Sequence, residues 1–339
     1  MRRAIGSMVS LALLALTPAF AHHSKANFLN ETIVLQGEVV DFRWANPHAI
    51  FSMSVSDASG TATVWQVEVA ATPQLVRSGW TESSLLPGDR VTVRAQPDRN
   101  RARPFAAMQS VLKEDGTVLS VTPADVAADA SRPRAPSVLG VWQPARRRQG
   151  GAGIAPGAAD EPPLSLPLTP QGLEAARKYD VRDNPRLQCV PFTSPENLGT
   201  PYLHTIERDG DNILLRTEYM EITRVVYIDG RGPPPGEPSL QGHSVGHWEG
   251  DVLVVETTAF ADQPWGVARG IPSGPGKRVV ERYRLTDSGE TLTVDFTIED
   301  PEYLTAPFAG SELWRYAPKL KLVPNKCDVE VAHKYLGSD

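Results

Sequence analysis

The chain of 339 residues is poor in cysteine, in excess positive charge and in long apolar runs. Its two cysteines, Cys189 and Cys327, lack a CxxC neighbour, which excludes a zinc ribbon and a thioredoxin-type redox site. A net charge of -6 leaves no basic footprint for nucleic acid. The Arg146-Arg147-Arg148 run sits among Gly, Pro and Ala and reads as a solvated loop. Beyond the first residues, no segment approaches the roughly 20 apolar residues of a membrane span. No phosphate-cradling or dinucleotide glycine pattern occurs. Gly242-x-Ser244-x-Gly246 has the letters of a nucleophile elbow, but that elbow needs a strand entering a helix, and here a β-turn and a second strand follow.

The N-terminus reads as a leader. Arg2 and Arg3 precede an apolar run from Ser10 to Leu16, and Pro18-Ala19-Phe20-Ala21 supplies a small-x-small cleavage site, so residues 1–21 read as a secretory signal peptide. The residues after Arg3 lack a twin-arginine continuation. The mature chain is expected to be exported and soluble, periplasmic or secreted. In an oxidising compartment Cys189 and Cys327 are expected to pair, two separate buried thiols being the alternative.

The expected class is mostly β, in two domains. Residues 33–43, 48–56 and 61–70 read as strands. A short helix over 73–78 follows, capped by Thr72, and then strands 90–96 and 105–113. That order, over residues 22–120, is an OB-like five-stranded barrel, a fold that does not by itself fix a ligand. Residues 121–137 are Ala/Pro/Asp/Ser-rich and read as a linker. Over 138–339, a low-complexity stretch at 146–167 and a helix after Thr169-Pro170 precede strands near 202–208, 212–218, 223–228, 242–248, 251–258, 279–286, 291–299 and 312–316. Hairpin after hairpin makes a larger antiparallel β-barrel or curved sheet.

The richest stretch is Gly242–Thr258. It reads as two strands joined at Glu249-Gly250, with Trp248 opposite Asp251, Val245 opposite Val254 and His243 opposite Glu256. Alternation then gathers His243, His247 and Glu256 on one face with Val245, Val252 and Val254, an arrangement costly to bury unless satisfied. In strand 279–286, Glu281 shares its face with Val279, Tyr283 and Leu285. His243 with Glu256 has the form of a general acid–base pair, and Glu281 could be a second acid or base. A structural polar network is the alternative.

The motifs Gly242-His243-Ser244-Val245-Gly246, Trp248-Glu249-Gly250-Asp251-x-Leu253-Val254-Val255 with Thr257 and Phe260, Tyr227-x-Asp229-Gly230-Arg231, Val280-Glu281-Arg282 and Glu299-Asp300-Pro301 resemble an uncharacterised group of exported bacterial proteins. Ala21-His22-His23-Ser24 and Trp44-x-Asn46-Pro47-His48-Ala49 resemble a small exported domain of unknown function. The resemblance covers most of both domains and implies the two-domain layout, with no activity attached. His247 stands where relatives more usually carry arginine, which implies contact with an anionic or polar ligand.

Two further sites are expected. Cleavage after Ala21 would free the amine of His22, and with His23 and His48 this is a nitrogen-rich set suited to copper or zinc, similar to the copper brace of some secreted oxygenases. In the second domain Trp142, Trp248, Trp265, Trp314 and Tyr283 could line a cavity for a hydrophobic or aromatic small molecule, with His247, Arg224 and Arg231 as polar contacts and the Gly/Pro-rich segment 261–276 as a lid. The functions in view are small-molecule binding with acid–base turnover of lyase, isomerase or hydrolase type, periplasmic copper binding, or a structural envelope role.

Overall fold

A computed structural model describes residues 28–121, 132–145, 165–232, 238–286 and 288–335. It contains two closed barrels. The first is built from β1 (Ile33–Arg43), β2 (Ile50–Ser56), β3 (Ala62–Glu68), α1 (Thr72–Arg77), β4 (Arg90–Pro97) and β5 (Phe105–Lys113), with a short β6 (Val118–Ser120) added to β5. The order is β3-β2-β1-β4-β5-β6, and pairing of β3 with β5 closes a five-stranded ring. Long β1 serves two partners. Residues 33–38 pair with β4 and residues 38–43 with β2, across a bulge between Val39 and Asp41. At Gly37 a Cβ would lie 2.0 Å from the Ser54 carbonyl oxygen, so only glycine lets the strands approach this closely. Phe51, Met53 and Leu75 fill the interior.

Thr72 does not cap α1, as the sequence suggested. It is the first helical residue, and Asn46 satisfies it instead: the Thr72 N–H donates to Asn46 Oδ1 at 2.9 Å, and Asn46 Nδ2 donates to the Thr72 hydroxyl at 2.9 Å. The Asn46-Pro47-His48 motif thus has a structural use, supplying an acceptor that a helix N-terminus needs.

The second barrel takes β7 (Gly140–Pro144), then α2 (Pro170–Lys178), then β8 (His204–Asp209), β9 (Asn212–Thr217), β10 (Thr223–Tyr227), β11 (His243–Glu249), β12 (Val252–Thr258), a small separate hairpin of β13 (Gln263–Ala268) and β14 (Ile271–Ser273), and finally β15 (Arg278–Leu285), β16 (Thr291–Glu299) and β17 (Phe308–Tyr316). Nine strands close in the order β10-β11-β12-β15-β16-β17-β7-β8-β9. β16 alternates cleanly, with Leu292, Val294, Phe296 and Ile298 buried. A ring with an odd number of strands cannot reverse direction at every step. One neighbouring pair must run parallel, and the pairs are β3 with β5 in the small ring and β10 with β11 in the large one. Segment 261–276, expected to be a loop, holds the β13–β14 hairpin because Trp265 has one apolar cluster to join and Val267 and Ile271 another.

Cys189 and Cys327 are disulfide-bonded. Cys327 belongs to a C-terminal segment that leaves the large barrel and runs along the small one to α3 (Val329–Tyr335). There Arg43 pairs with Asp328 at 2.9 Å and Glu330 at 2.8 Å, and Asp328 N–H donates to the Asn46 carbonyl. Between the barrels Arg77 makes a bidentate pair with Glu218 at 2.7 and 2.9 Å, and Glu218 also accepts from the Leu203 and Val323 amides. Among the described residues, no helix is long and apolar enough to cross a membrane.

Candidate functional site

The β11–β12 hairpin differs from expectation in register and in the side it turns inward. Glu249 pairs with Val252, so the two-residue loop is Gly250-Asp251, with Gly250 at φ +60 in the first loop position. His243 therefore faces Thr258, and Glu256 faces Val245. The shift is two residues, so His243, His247 and Glu256 do share a face, but it is the outer one. Ser244, Gly246, Leu253, Val255 and Thr257 point inward, and the Ser244 and Thr257 hydroxyls hydrogen-bond at 2.9 Å. The run Val252-Leu253-Val254-Val255 is apolar on both faces, so its alternation does not reveal which side is the core.

The expected histidine–carboxylate pair does not form. His243 stacks on Tyr227 with ring centroids 5.0 Å apart, and its Nε2 lies 2.9 Å from the Arg231 carbonyl oxygen. Glu256 pairs with Arg278 at 2.6 Å. His247 lies 3.3 Å from Glu249, which also binds Arg282 and is held down to about pKa 2 by Arg282 first and His247 second. Arg231 is exposed, bonded to Asp229 and laid over the Tyr227 ring. These are local and cross-strand pairs on a wet surface. Trp248 is half-buried against the barrel core. Trp265 lies outside the barrel, stacked on Phe192 and tilted against Tyr179.

The interior holds a different set. Glu281 is fully buried, on the face its strand pattern predicts, and accepts from Arg224 Nη2 at 2.6 Å, from the Tyr283 hydroxyl at 3.1 Å and from the Ser194 hydroxyl. Arg224 also donates to Thr257 at 3.3 Å. Burial is the largest influence on Arg224 and works against its charge, but Glu281 and Tyr283 together outweigh it and hold the guanidinium above its usual value. Burial and the Glu281 charge together push the Tyr283 phenol well up, so it stays a donor. Trp314 stacks on His204 at 4.2 Å, and burial, aided by the Arg224 charge, lowers His204 to about 3, leaving it neutral. A cavity of about 20 Å³ lies among Asn197, His204, Arg224, Tyr283 and Trp314, room for a single water. His204 Nε2 and Asn197 Oδ1 are buried here without a protein partner.

Ser194 and Asn197 come from no strand. They belong to a segment after Cys189 that enters the barrel end, buries Leu198 in its core and accepts from Trp314 Nε1 at the Leu198 carbonyl. Lys277, one residue before β15, is also inside. Its Nζ donates to Thr193 Oγ1 at 2.7 Å and to the Gly266 carbonyl at 2.5 Å, and burial lowers it to about 7. Glu196 is half-buried, and desolvation raises it to about 7 against the pull of Arg269, Arg186 and Lys277.

Sequence reasoning missed Lys277, Ser194, Glu196 and His204. Extending the β15 alternation back from Glu281 and Val279 would have placed Lys277 inward. His204 shares its face with Ile206. For Ser194 and Glu196 no local pattern exists.

In the small barrel His48 Nδ1 lies 2.5 Å from Glu68 Oε1. His22 and His23 lie outside the described residues. Among the described residues no group of three or more His, Cys, Asp or Glu side chains could hold a metal.

A family model described as a family of unknown function (DUF6152) matches residues 10–105, which takes in the Asn46-Pro47-His48 motif and ends at the start of β5. No curated protein matches the chain.

Proposed function

We propose that this is an exported small-molecule-binding protein whose site is the polar interior of the nine-stranded barrel. The ligand class is a small aromatic compound with an anionic or polar head. Its ring would lie against Trp314 and Tyr283, and its head group would meet Arg224. The carrying observation is the fully buried Arg224–Glu281 pair, fastened through Ser194 to the segment that fills the barrel end. A buried ion pair rarely stabilises a fold more than apolar residues of equal volume would, so a barrel serving only as scaffold gains little from one. Charged groups in a desolvated interior are the usual equipment of a binding or catalytic site. The 20 Å³ cavity holds no such ligand, so residues 191–200 would have to lift on binding. Glu281 and Lys277 would then be the groups available for acid–base turnover.

Isothermal titration with benzoate and benzyl alcohol tests this reading. Binding of benzoate that disappears in Arg224→Met supports it. An absence of binding by any small aromatic acid or alcohol leaves a structural envelope protein.

A second reading, periplasmic copper binding, draws support from His48. A carboxylate on Nδ1 fixes the ring of metal-ligating histidines, with Nε2 then the nitrogen that takes the metal. Copper titration of the mature chain tests it: binding lost on adding one residue before His22 supports a brace, and no binding ends the idea.

A further inference from the structure

Lys277 is 1% exposed, yet no carboxylate stands within ion-pairing distance of it among the described residues. Its surroundings are the Phe260 ring, whose centroid is 4.2 Å from Nζ, and two neutral acceptors, Thr193 Oγ1 and the Gly266 carbonyl. An ammonium group has three N–H donors, and a buried donor without an acceptor is costly. A neutral amine has two donors and one lone pair. The two oxygen acceptors take the two N–H groups of the amine, whereas the charged form would have only the Phe260 face for its third N–H and no anion beside it to balance the charge. The lowering of Lys277 to about 7 by burial agrees with this count. Asp300, Glu196 and Glu281 act on it only at longer range.

One of the two acceptors, Thr193, belongs to the segment that carries Ser194 and Glu196 into the barrel. A ligand that lifted this segment to reach Arg224 would uncover Nζ in the same movement. Glu196 Oε2 is buried there without a hydrogen-bond partner. Desolvation holds this carboxyl partly protonated near neutrality, so it can both give and take a proton.

We infer that Lys277 captures a small aldehyde or ketone as an imine when the ligand enters beneath residues 193–196. The inference rests on the proposed binding site. The Nζ lone pair attacks the carbonyl carbon, and the C=O π pair moves to oxygen, which takes a proton from Glu196. The resulting carbinolamine loses its oxygen as water. The two protons that Nζ gives up, relayed by Glu196, end on that water as the nitrogen lone pair forms the C=N bond and the C–O bond breaks, so that amine and carbonyl become imine and water. A desolvated lysine on an apolar wall is the usual setting for such an amine.

The test uses the mature wild-type protein, benzaldehyde and sodium cyanoborohydride at pH 7, followed by peptide mass mapping. Hydride reduces any imine to a stable benzylamine. Lys277 is expected to be labelled at least about tenfold faster than exposed Lys321, because an ordinary lysine is almost wholly protonated at that pH. Slower labelling in Glu196→Gln would support the proton relay. Labelling of Lys321 with Lys277 untouched overturns the inference. If benzoate still binds in an Arg224-dependent way while Lys277 stays unlabelled, carbonyl capture fails and the binding site stands. If benzoate does not bind and Lys277 is unlabelled, both fail.

Discussion

Arg224→Met and Glu281→Gln should each cost the large barrel about 3–5 kcal/mol, the usual penalty for leaving one member of a buried pair without its counter-charge. The side chains are 4% and 0% exposed and 2.6 Å apart, so neither can reach solvent without opening the barrel. Arg224→Met strands a carboxylate with only the Ser194 and Tyr283 hydroxyls as donors. Glu281→Gln strands a guanidinium beside neutral His204 and Thr257. Combining Arg224→Met with Glu281→Gln removes both charges and keeps the volume. The amide that replaces the carboxylate still offers one oxygen to the Ser194 and Tyr283 hydroxyls, so what remains is one lost acceptor, about 1–3 kcal/mol if no water reaches the site. The double variant should therefore be less damaged than the sum of the singles by at least about 2 kcal/mol. Urea unfolding followed by tryptophan fluorescence reads this out, since Trp142 and Trp314 are in the core of the same barrel. With a slope near 2 kcal/mol per molar, each single variant should lose roughly 1.5–2.5 M in midpoint. Singles that cost under about 1 kcal/mol, or a double equal to their sum, would refute the view of Arg224 and Glu281 as one coupled unit.

Three further outcomes are expected. Lys277 is lowered from 10.5 to about 7, so between those values the unfolded chain binds the extra proton and wild-type stability rises with pH. Lys277→Met should lack that rise, worth at most on the order of 3 kcal/mol, when urea midpoints at pH 7 and 9.5 are compared. His204 is lowered from 6.5 to about 3, so stability is lost as pH falls through that window; His204→Phe, which can keep the Trp314 stack, should lose less on acidification to pH 4. The disulfide joins residues 138 apart in sequence, and the chain-entropy model gives about 5 kcal/mol, so Cys327→Ser should lower the unfolding midpoint sharply and make it insensitive to dithiothreitol.

Much of the fold was legible because most strands carry their own pattern. Leu292, Val294, Phe296 and Ile298 alternate with polar residues, and the strand–strand–strand–helix–strand–strand order of the first barrel follows from turn residues and one proline-started helix. The inward Glu281 was legible for the same reason. The hairpin richest in candidate residues was misleading because its second strand is apolar on both faces. With valines at 252, 254 and 255 and leucine at 253, the pattern does not say which side meets water, and the inner side of β11 was marked only by small residues, Ser244 and Gly246. The rest of the interior was illegible because it is assembled by a segment without periodicity. Nothing near Ser194 in sequence points to Glu281, which is 87 positions away. The β13–β14 hairpin was hidden by glycine and proline, whose loop preference yielded to two apolar clusters, one around Trp265 and one around Val267.

The odd ring size bears on how the large barrel opens. Its like-directed joint carries only two rungs, Val226 to Ser244 and Tyr227 to Val245, whereas the neighbouring hairpin has seven. Amide exchange should begin along this edge, where the fewest bonds must break. Across the same edge, on the solvent side, the Tyr227 ring meets both the His243 imidazole and the Arg231 guanidinium. Those side chains act as a clasp over the thinnest part of the wall, and their work is to keep the cylinder shut.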